Sequence, residues 1–409
     1  MSWKKTSWFW KSGFAVISVT LALGVSGCSA AAPEETEIQE EEIAAQDIED
    51  DADEMADLCL DIYQKAAAEN KLADLETIRS IVNRFGEYGY PAVDSENQVD
   101  MTMAEQMVLF CDAVEQKETA ETIVFQIDYF GGFIKYDLKT QDGNIEVTRS
   151  YYAYEAETIQ RKAVSSYQVE QWDYTAEGYI MFSGAYYSEE LYALTLSAAE
   201  EHVALRVEPL DEKYRELNRK YLRPISYERN NMFITDWNES DFGKLNFYDL
   251  FDIFYPEVYK SSFPYTPDDN LGVGAVYRIP EEDFERVIQM YFNIDSETLQ
   301  SKTVYHQEDS TYEYKPRGFE EVEYPEYPYS EVTGYTENSD GTITLMVRVV
   351  FPYRGDSNVY EHEVTVRPLD NDRVQYVSNK IIPSEDNGEV SWHTPRLTKD
   401  EWEELYGGQ

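Results

Sequence analysis

Val366-Arg367-Pro368-Leu369-Asp370 has a near-copy earlier in the chain, Val207-Glu208-Pro209-Leu210-Asp211. The flanks agree as well. Asp211 and Asp370 each lie 13 residues before a proline, Pro224 and Pro383. Gly178-Tyr179-Ile180-Met181-Phe182 precedes the first copy, and Gly341-Thr342-Ile343-Thr344-Leu345 precedes the second. These echoes predict an old internal duplication of one supersecondary unit.

Upstream of each copy stand two apolar stripes at helical spacing. In the first they are Leu75, Ile78, Ile81, Val82 and Phe85, then Met103, Met107, Phe110, Cys111 and Val114. In the second they are Phe247, Leu250, Phe251 and Phe254, then Phe284, Val287, Ile288, Tyr291 and Phe292. The last stripe is opened by Pro280 and an acidic first turn, a helix-start signal. Alternating β-type runs follow each pair. In the first copy they are 133–138 and 145–152, joined by Gln141-Asp142-Gly143-Asn144. In the second they are 302–306, 311–315, 331–336, 342–352, 359–366 and 374–381, with Ser339-Asp340-Gly341 as a hairpin turn. After Asp211 the pattern is helical, whereas after Asp370 it alternates as a strand.

The expected class is α+β, with two related domains at 55–235 and 236–385, each with helices on a curved antiparallel sheet. This order loosely resembles nuclear-transport-factor-2-like (NTF2-like) or cystatin-like folds, as an architectural analogy. Residues 386–409 read as a C-terminal tail.

The N-terminus predicts a destination. Lys4, Lys5 and Lys11 precede an apolar run at 13–25, too short for a bilayer span. Val25-Ser26-Gly27-Cys28 follows and resembles the lipobox of bacterial lipoproteins. That resemblance implies a signal peptide at 1–27 and a lipid on Cys28. It also implies membrane attachment at the outer face of the cytoplasmic membrane, since two acyl chains suffice to hold a protein there. An ordinary signal peptide with an incidental Cys is the alternative. From Ser12 to Gln64 there is no Lys or Arg, while acids crowd 34–57. Residues 28–54 therefore read as the lipidated Cys and an acidic, extended tether.

The formal net charge is −46. Such a surface does not neutralise phosphate, so no nucleic-acid partner is expected. Cys59 and Cys111 fall on helical apolar stripes, predicting two core thiols or one disulfide between helices. No Cys/His cluster has metal-ligand spacing.

Several segments carry closer matches. Asp340-Gly341-Thr342-Ile343-Thr344-Leu345-Met346-Val347 and His362-Glu363-Val364-Thr365-Val366-Arg367 are two of them. Residues 280–292 and 375–381 are the others. These resemble a family of uncharacterised secreted lipoproteins of Gram-positive gut anaerobes, over most of 100–385. The resemblance implies no activity and no functional residues.

Catalytic signatures are sparse. His202, His306, His362 and His393 are the only histidines, none paired at i, i+4. His362 reads as a half-exposed strand residue. No Gly-x-Ser-x-Gly elbow occurs. Asp236-Trp237-Asn238-Glu239-Ser240 begins like a calcium loop, but Asp241 and Phe247 stand where Gly and Glu are needed. Asn238 or Ser240 is expected instead to cap the next helix. No catalytic residue, metal ligand or cofactor is assigned. Tyr324, Tyr327 and Tyr329, set among Pro325 and Pro328, are the candidate contacts for a glycan or peptide ligand. The function expected is a non-catalytic binding or envelope-interaction module. A carboxylate-based glycan hydrolase is the alternative.

Overall fold

The computed structural model describes residues 55, 57–187, 192–193, 196–267, 275–318, 321–322 and 326–406. The leader, Cys28, the acidic tether and Tyr324 lie outside the described residues. A compact unit runs from Asp53 to Gln409.

The first half holds α1 (Leu60–Glu69), α2 (Leu75–Glu87), β1 (Ala92–Asp94), α3 (Ala104–Gln116), β2 (Ala120–Ile127), β3 (Gly132–Gln141), β4 (Asn144–Glu155), β5 (Thr158–Gln168), β6 (Gln171–Tyr174), β7 (Tyr179–Tyr186) and β8 (Ala199–Arg206). Strands β1 to β5 form one sheet in chain order. β1 pairs parallel with β2, and the other neighbours are antiparallel. Strands β6, β7 and β8 make a second, three-stranded meander. Asp142 (φ 54°) and Gly143 (φ 81°) close the β3–β4 hairpin. Two consecutive left-handed residues match strand twist, and Asp-Gly tolerates them.

The predicted stripes face inward except at Met103, which is 44% exposed because it stands at the N-cap of α3, before the helix begins. Ile78, Ile81, Val82 and Phe85 of α2 are buried. Met107, Phe110 and Cys111 of α3 join Val124, Leu138 and Val147 of one sheet and Ile180 and Leu205 of the other in a single core. Cys59 and Cys111 are buried free thiols, and burial pushes both up to about 12. They are therefore protonated and unreactive at neutral pH.

The second half holds α4 (Glu212–Tyr221), β9 (Trp237–Asn238), α5 (Phe247–Tyr259), β10 (Tyr277–Pro280), α6 (Glu281–Tyr291), α7 (Ser296–Ser301), β11 (Tyr305–His306), β12 (Thr311–Tyr314), β13 (Tyr329–Glu337), β14 (Ile343–Val350), β15 (Glu361–Pro368), β16 (Val374–Ile381) and α8 (Lys399–Tyr406). Its sheets run β13-β14-β15-β16-β9 and β10-β12-β11. Phe284, Val287 and Ile288 of α6 are buried. Phe284 lies between Phe251 and Tyr312, with centroids 4.6 and 4.4 Å away. Fully burying one such ring stabilises by about 1.5–3 kcal/mol.

The architecture is α+β, and in each half most of the helices precede the main antiparallel strands. The second core begins at Leu217 of α4 and includes Phe233 and Trp237. Thus the chain passes from one core to the other between Val207 and Leu217.

Three local expectations differ from the structure. His362 is not half-exposed: it is 1% exposed, with Tyr227 and Asn379 bonded to its two ring nitrogens at 2.7 and 2.6 Å. Strand alternation cannot show that Tyr227 lies over this face. Asn238 and Ser240 do not cap a helix. The Asn238 side chain closes a turn on Ser240 and Asp241, and Asn246 caps α5 by accepting from Tyr248 N and Asp249 N. The segment after 386 is not a free tail, because Trp392 is 2% exposed against Phe351 and Tyr360.

A buried polar cluster joins the halves. Glu331 of β13 has no side-chain exposure. It accepts from Arg206 Nη1 at 2.9 Å, Arg348 Nη1 at 3.3 Å, the Tyr179 hydroxyl at 2.5 Å and Asn97 Nδ2 at 2.8 Å. Arg215 of α4 in turn donates to Asn97 through Nε and Nη2, both at 3.1 Å.

Candidate binding groove

Helix α5 carries Asp249 and Asp252, three residues apart and so on one face. Asn246 fixes where the helix starts, and with it the depth at which both carboxylates sit. Tyr314 ends β12, and Arg317 follows on the next turn of chain. Arg396 arrives from the C-terminal segment that Trp392 pins to the core.

These five side chains interlock. Arg317 grips Asp249 with Nε at 3.1 Å and Nη2 at 2.9 Å. Arg396 Nε donates to Asp249 Oδ1 at 2.8 Å, and its Nη2 donates to Asp252 Oδ2 at 2.5 Å. The Tyr314 hydroxyl donates to Asp252 Oδ1 at 2.6 Å. Such forked, charge-assisted bonds fix orientation as well as adding energy.

The two carboxylates differ in setting. Asp249 is 1% exposed, whereas the Asp252 side chain keeps 32% of its surface open. Burial of its carboxyl pushes Asp252 up to about 6; Arg396 and Tyr314 pull against that, and Asp249 adds to it. Arg396 is buried too, which opposes its charge, but Asp252 and Asp249 outweigh burial and keep it protonated.

The open side of Asp252 faces a groove of about 490 Å³. Ile225, Ser226, Ile253, Phe263 and Tyr265 contribute to its walls. Phe263, Tyr265 and Tyr314 form a triangle of rings with centroids 5.6, 5.8 and 5.7 Å apart. The result is apolar ring surface beside a floor of fixed donors and acceptors. That combination suits a ligand with both a CH face and hydroxyls.

Of the tyrosines singled out in the sequence, the two described ones, Tyr327 and Tyr329, do not line this groove. Tyr327 is half-buried and packs on the second core. Tyr329 pairs with Val350 within the sheet and packs beside Tyr179 at the sealed Glu331 cluster. Burial pushes the Tyr329 phenol well above its usual range. Tyr324 lies outside the described residues. Sequence reading missed Asp249, Asp252, Arg317 and Arg396 as a unit. One signal is present: a Trp four residues before an Arg, inside the segment read as a C-terminal tail.

Residues 45–396 match the family of unknown function DUF6070. The chain belongs to that family. The DUF6070 match takes in both carboxylates, Tyr314, Arg317 and Arg396, and stops before α8. No curated protein and no solved structure matches the chain. Among the described residues, no helix is long and apolar enough to cross a membrane. Among the same residues, no group of three or more His, Cys, Asp or Glu could hold a metal ion.

Proposed function

We propose that this DUF6070 member is a lipid-anchored, extracytoplasmic binding module whose groove takes a glycan. The anchor is Cys28, and the acidic residues up to 54 hold the folded part off the outer face of the cytoplasmic membrane. One observation carries the non-catalytic reading. A glycosidase needs its two carboxyl groups to face each other across the scissile bond. Here the Arg396 guanidinium bonds both Asp249 and Asp252 and fills the space between them. Asp252, the open one of the two, serves as a rigidly held acceptor for hydroxyl groups rather than as half of an acid–base pair.

A second reading has its own support. Asp252, raised to about 6 beside Tyr314, has the protonation range of a general acid. A glycan screen on the chain lacking residues 1–28, run beside a turnover assay, separates the two. Binding without product release, lost at least tenfold in Tyr265→Ala, is the expected result. Release of sugar that disappears in Asp252→Asn would replace binding with hydrolysis. Anchoring is tested apart: Cys28→Ala must abolish incorporation of labelled palmitate, and retained label refutes the anchor.

A further inference from the structure

Arg396 also lines a second, more enclosed cavity of about 270 Å³. Its walls come from the C-terminal segment and from the small sheet. Val276, Val304 and Leu397 give apolar surface, and Tyr248, Lys315 and Trp402 stand among them. The size suits a compact ligand, slightly below the usual range for drug-sized ones.

Most charges around it are already committed. Glu313 is bonded to His306 at 3.0 Å and paired with Lys399 at 3.3 Å. Glu321 is 3% exposed and accepts from Gly318 N and Leu397 N at 2.6 and 2.7 Å. Glu401 caps α8 by accepting from Thr398 N at 2.8 Å and its hydroxyl at 2.7 Å. Arg396 is held by Asp249 and Asp252.

Two charges of opposite sign are left. The Lys315 ammonium rests on the face of the Trp402 ring, and among the described residues it has no carboxylate within ion-pair distance. Glu403, one residue past Trp402 on the exposed side of α8, likewise has no cation within that distance among the described residues. Both line the same cavity without meeting each other. Tyr248 adds a donor: its oxygen accepts from Val304 N at 2.7 Å, which leaves the phenolic proton for another acceptor. At the rim, Val276 keeps 48% of its surface exposed.

We propose that this cavity is a binding site for a free α-amino acid with a bulky apolar side chain. The ligand carboxylate meets Lys315 and the Tyr248 hydroxyl. Its ammonium meets Glu403. Its side chain covers Val276, Val304 and Leu397. A zwitterion is the chemistry that satisfies two unmet charges at once while its body fills an apolar space. A simple anion leaves Glu403 unmet, and a simple amine leaves Lys315 unmet. Desolvation also pulls Lys315 down to about 8, against the acids Glu313, Glu321 and Glu403, so an arriving carboxylate restores its charge and takes up a proton near that pH. The site goes beyond the groove reading, because Lys315, Trp402 and Glu403 do not line the groove.

The test is isothermal titration of the full-length chain with L-leucine and L-phenylalanine. Binding of at least one is expected, weakened tenfold or more for N-acetyl-leucine and for leucinamide. Lys315→Met and Glu403→Gln each weaken binding by a similar factor. At pH 8 the measured heat should vary with buffer ionisation, reporting proton uptake. No heat with either amino acid overturns the proposal, as does N-acetyl-leucine binding as tightly as leucine. Should Lys315→Met fail to fold, Glu403→Gln decides: it sits on an exposed helix face, so unchanged affinity there refutes the site.

Discussion

Two clusters in this molecule are built from the same parts. At the seam between the halves, Glu331 is held by Arg206, Arg348 and the Tyr179 hydroxyl. At the groove, Asp249 and Asp252 are held by Arg317, Arg396 and the Tyr314 hydroxyl. The difference is water. Glu331 has no exposed side-chain surface, whereas Asp252 is 32% exposed. A sealed cluster can only join elements. An open one joins elements and also presents oriented donors and acceptors to whatever enters. Residue types alone do not separate a weld from a site; access does.

That contrast can be broken at the seam first. Glu331→Ala leaves the buried Arg206 without its carboxylate and strips Arg348 of one of its two, which costs about 3–5 kcal/mol. A large drop in the urea midpoint is expected, with both halves losing structure together. Arg396→Ala should cost somewhat less, about 2–4 kcal/mol, because Arg317 still neutralises Asp249. Its distinguishing sign is local: faster amide exchange in α5 and β12 than in β2 to β4. Uniform exchange would mean the groove cluster is as global as the seam.

The half-buried tyrosines come next. Tyr327→Ser together with Tyr329→Ser should lower stability by about 1–3 kcal/mol, read from the denaturant midpoint. An unchanged midpoint would mean the rings are displayed rather than packed. The smallest effect is a slope in pH. Asp252 has a folded value of about 6, above its unfolded one. Its contribution to stability is therefore full below about pH 4 and is lost as pH rises through 6. Burial holds His362 down at about 4, below its unfolded value, so its contribution is lost as pH falls from above 6 through 4. Opposite signs in one window give a flattened profile. In Asp252→Asn the His362 slope should stand alone, with stability falling more steeply on acidification. A profile identical to the parent would remove Asp252 from the account.

Local patterns were legible in the sequence and distant meetings were not. The stripes of α2, α3, α5 and α6 and the turns at Asp142-Gly143 and Asp340-Gly341 depend on neighbours within one or two turns of chain, so periodicity and dihedral preference suffice. Strand β5 carries no such signal, because most of its residues are exposed and it lacks an apolar alternation. His362 alternates correctly along β15, but its burial depends on Tyr227 and Asn379, which sequence spacing cannot bring near. The groove was invisible for the same reason. Arg396 joins Asp249 and Asp252 across more than a hundred residues, and carboxylates are too common here for any pair to stand out. The tyrosines at 327 and 329 looked like a display because prolines flank them; the sheet takes them in instead.

The place of Trp392 and Arg396 in the chain also sets a schedule. The first-half core between the two sheets ends at Val207, so it can close while later residues are still being synthesised. The second cannot. Until residue 392 emerges, the wall of Phe351 and Tyr360 lacks its covering ring, and until residue 396 emerges, Asp252 lacks its counter-charge. A premature stop shortly before residue 392 would therefore leave the second core unfinished. In this way the groove cluster acts as a checkpoint: the second core closes only once the chain has been read through residue 396.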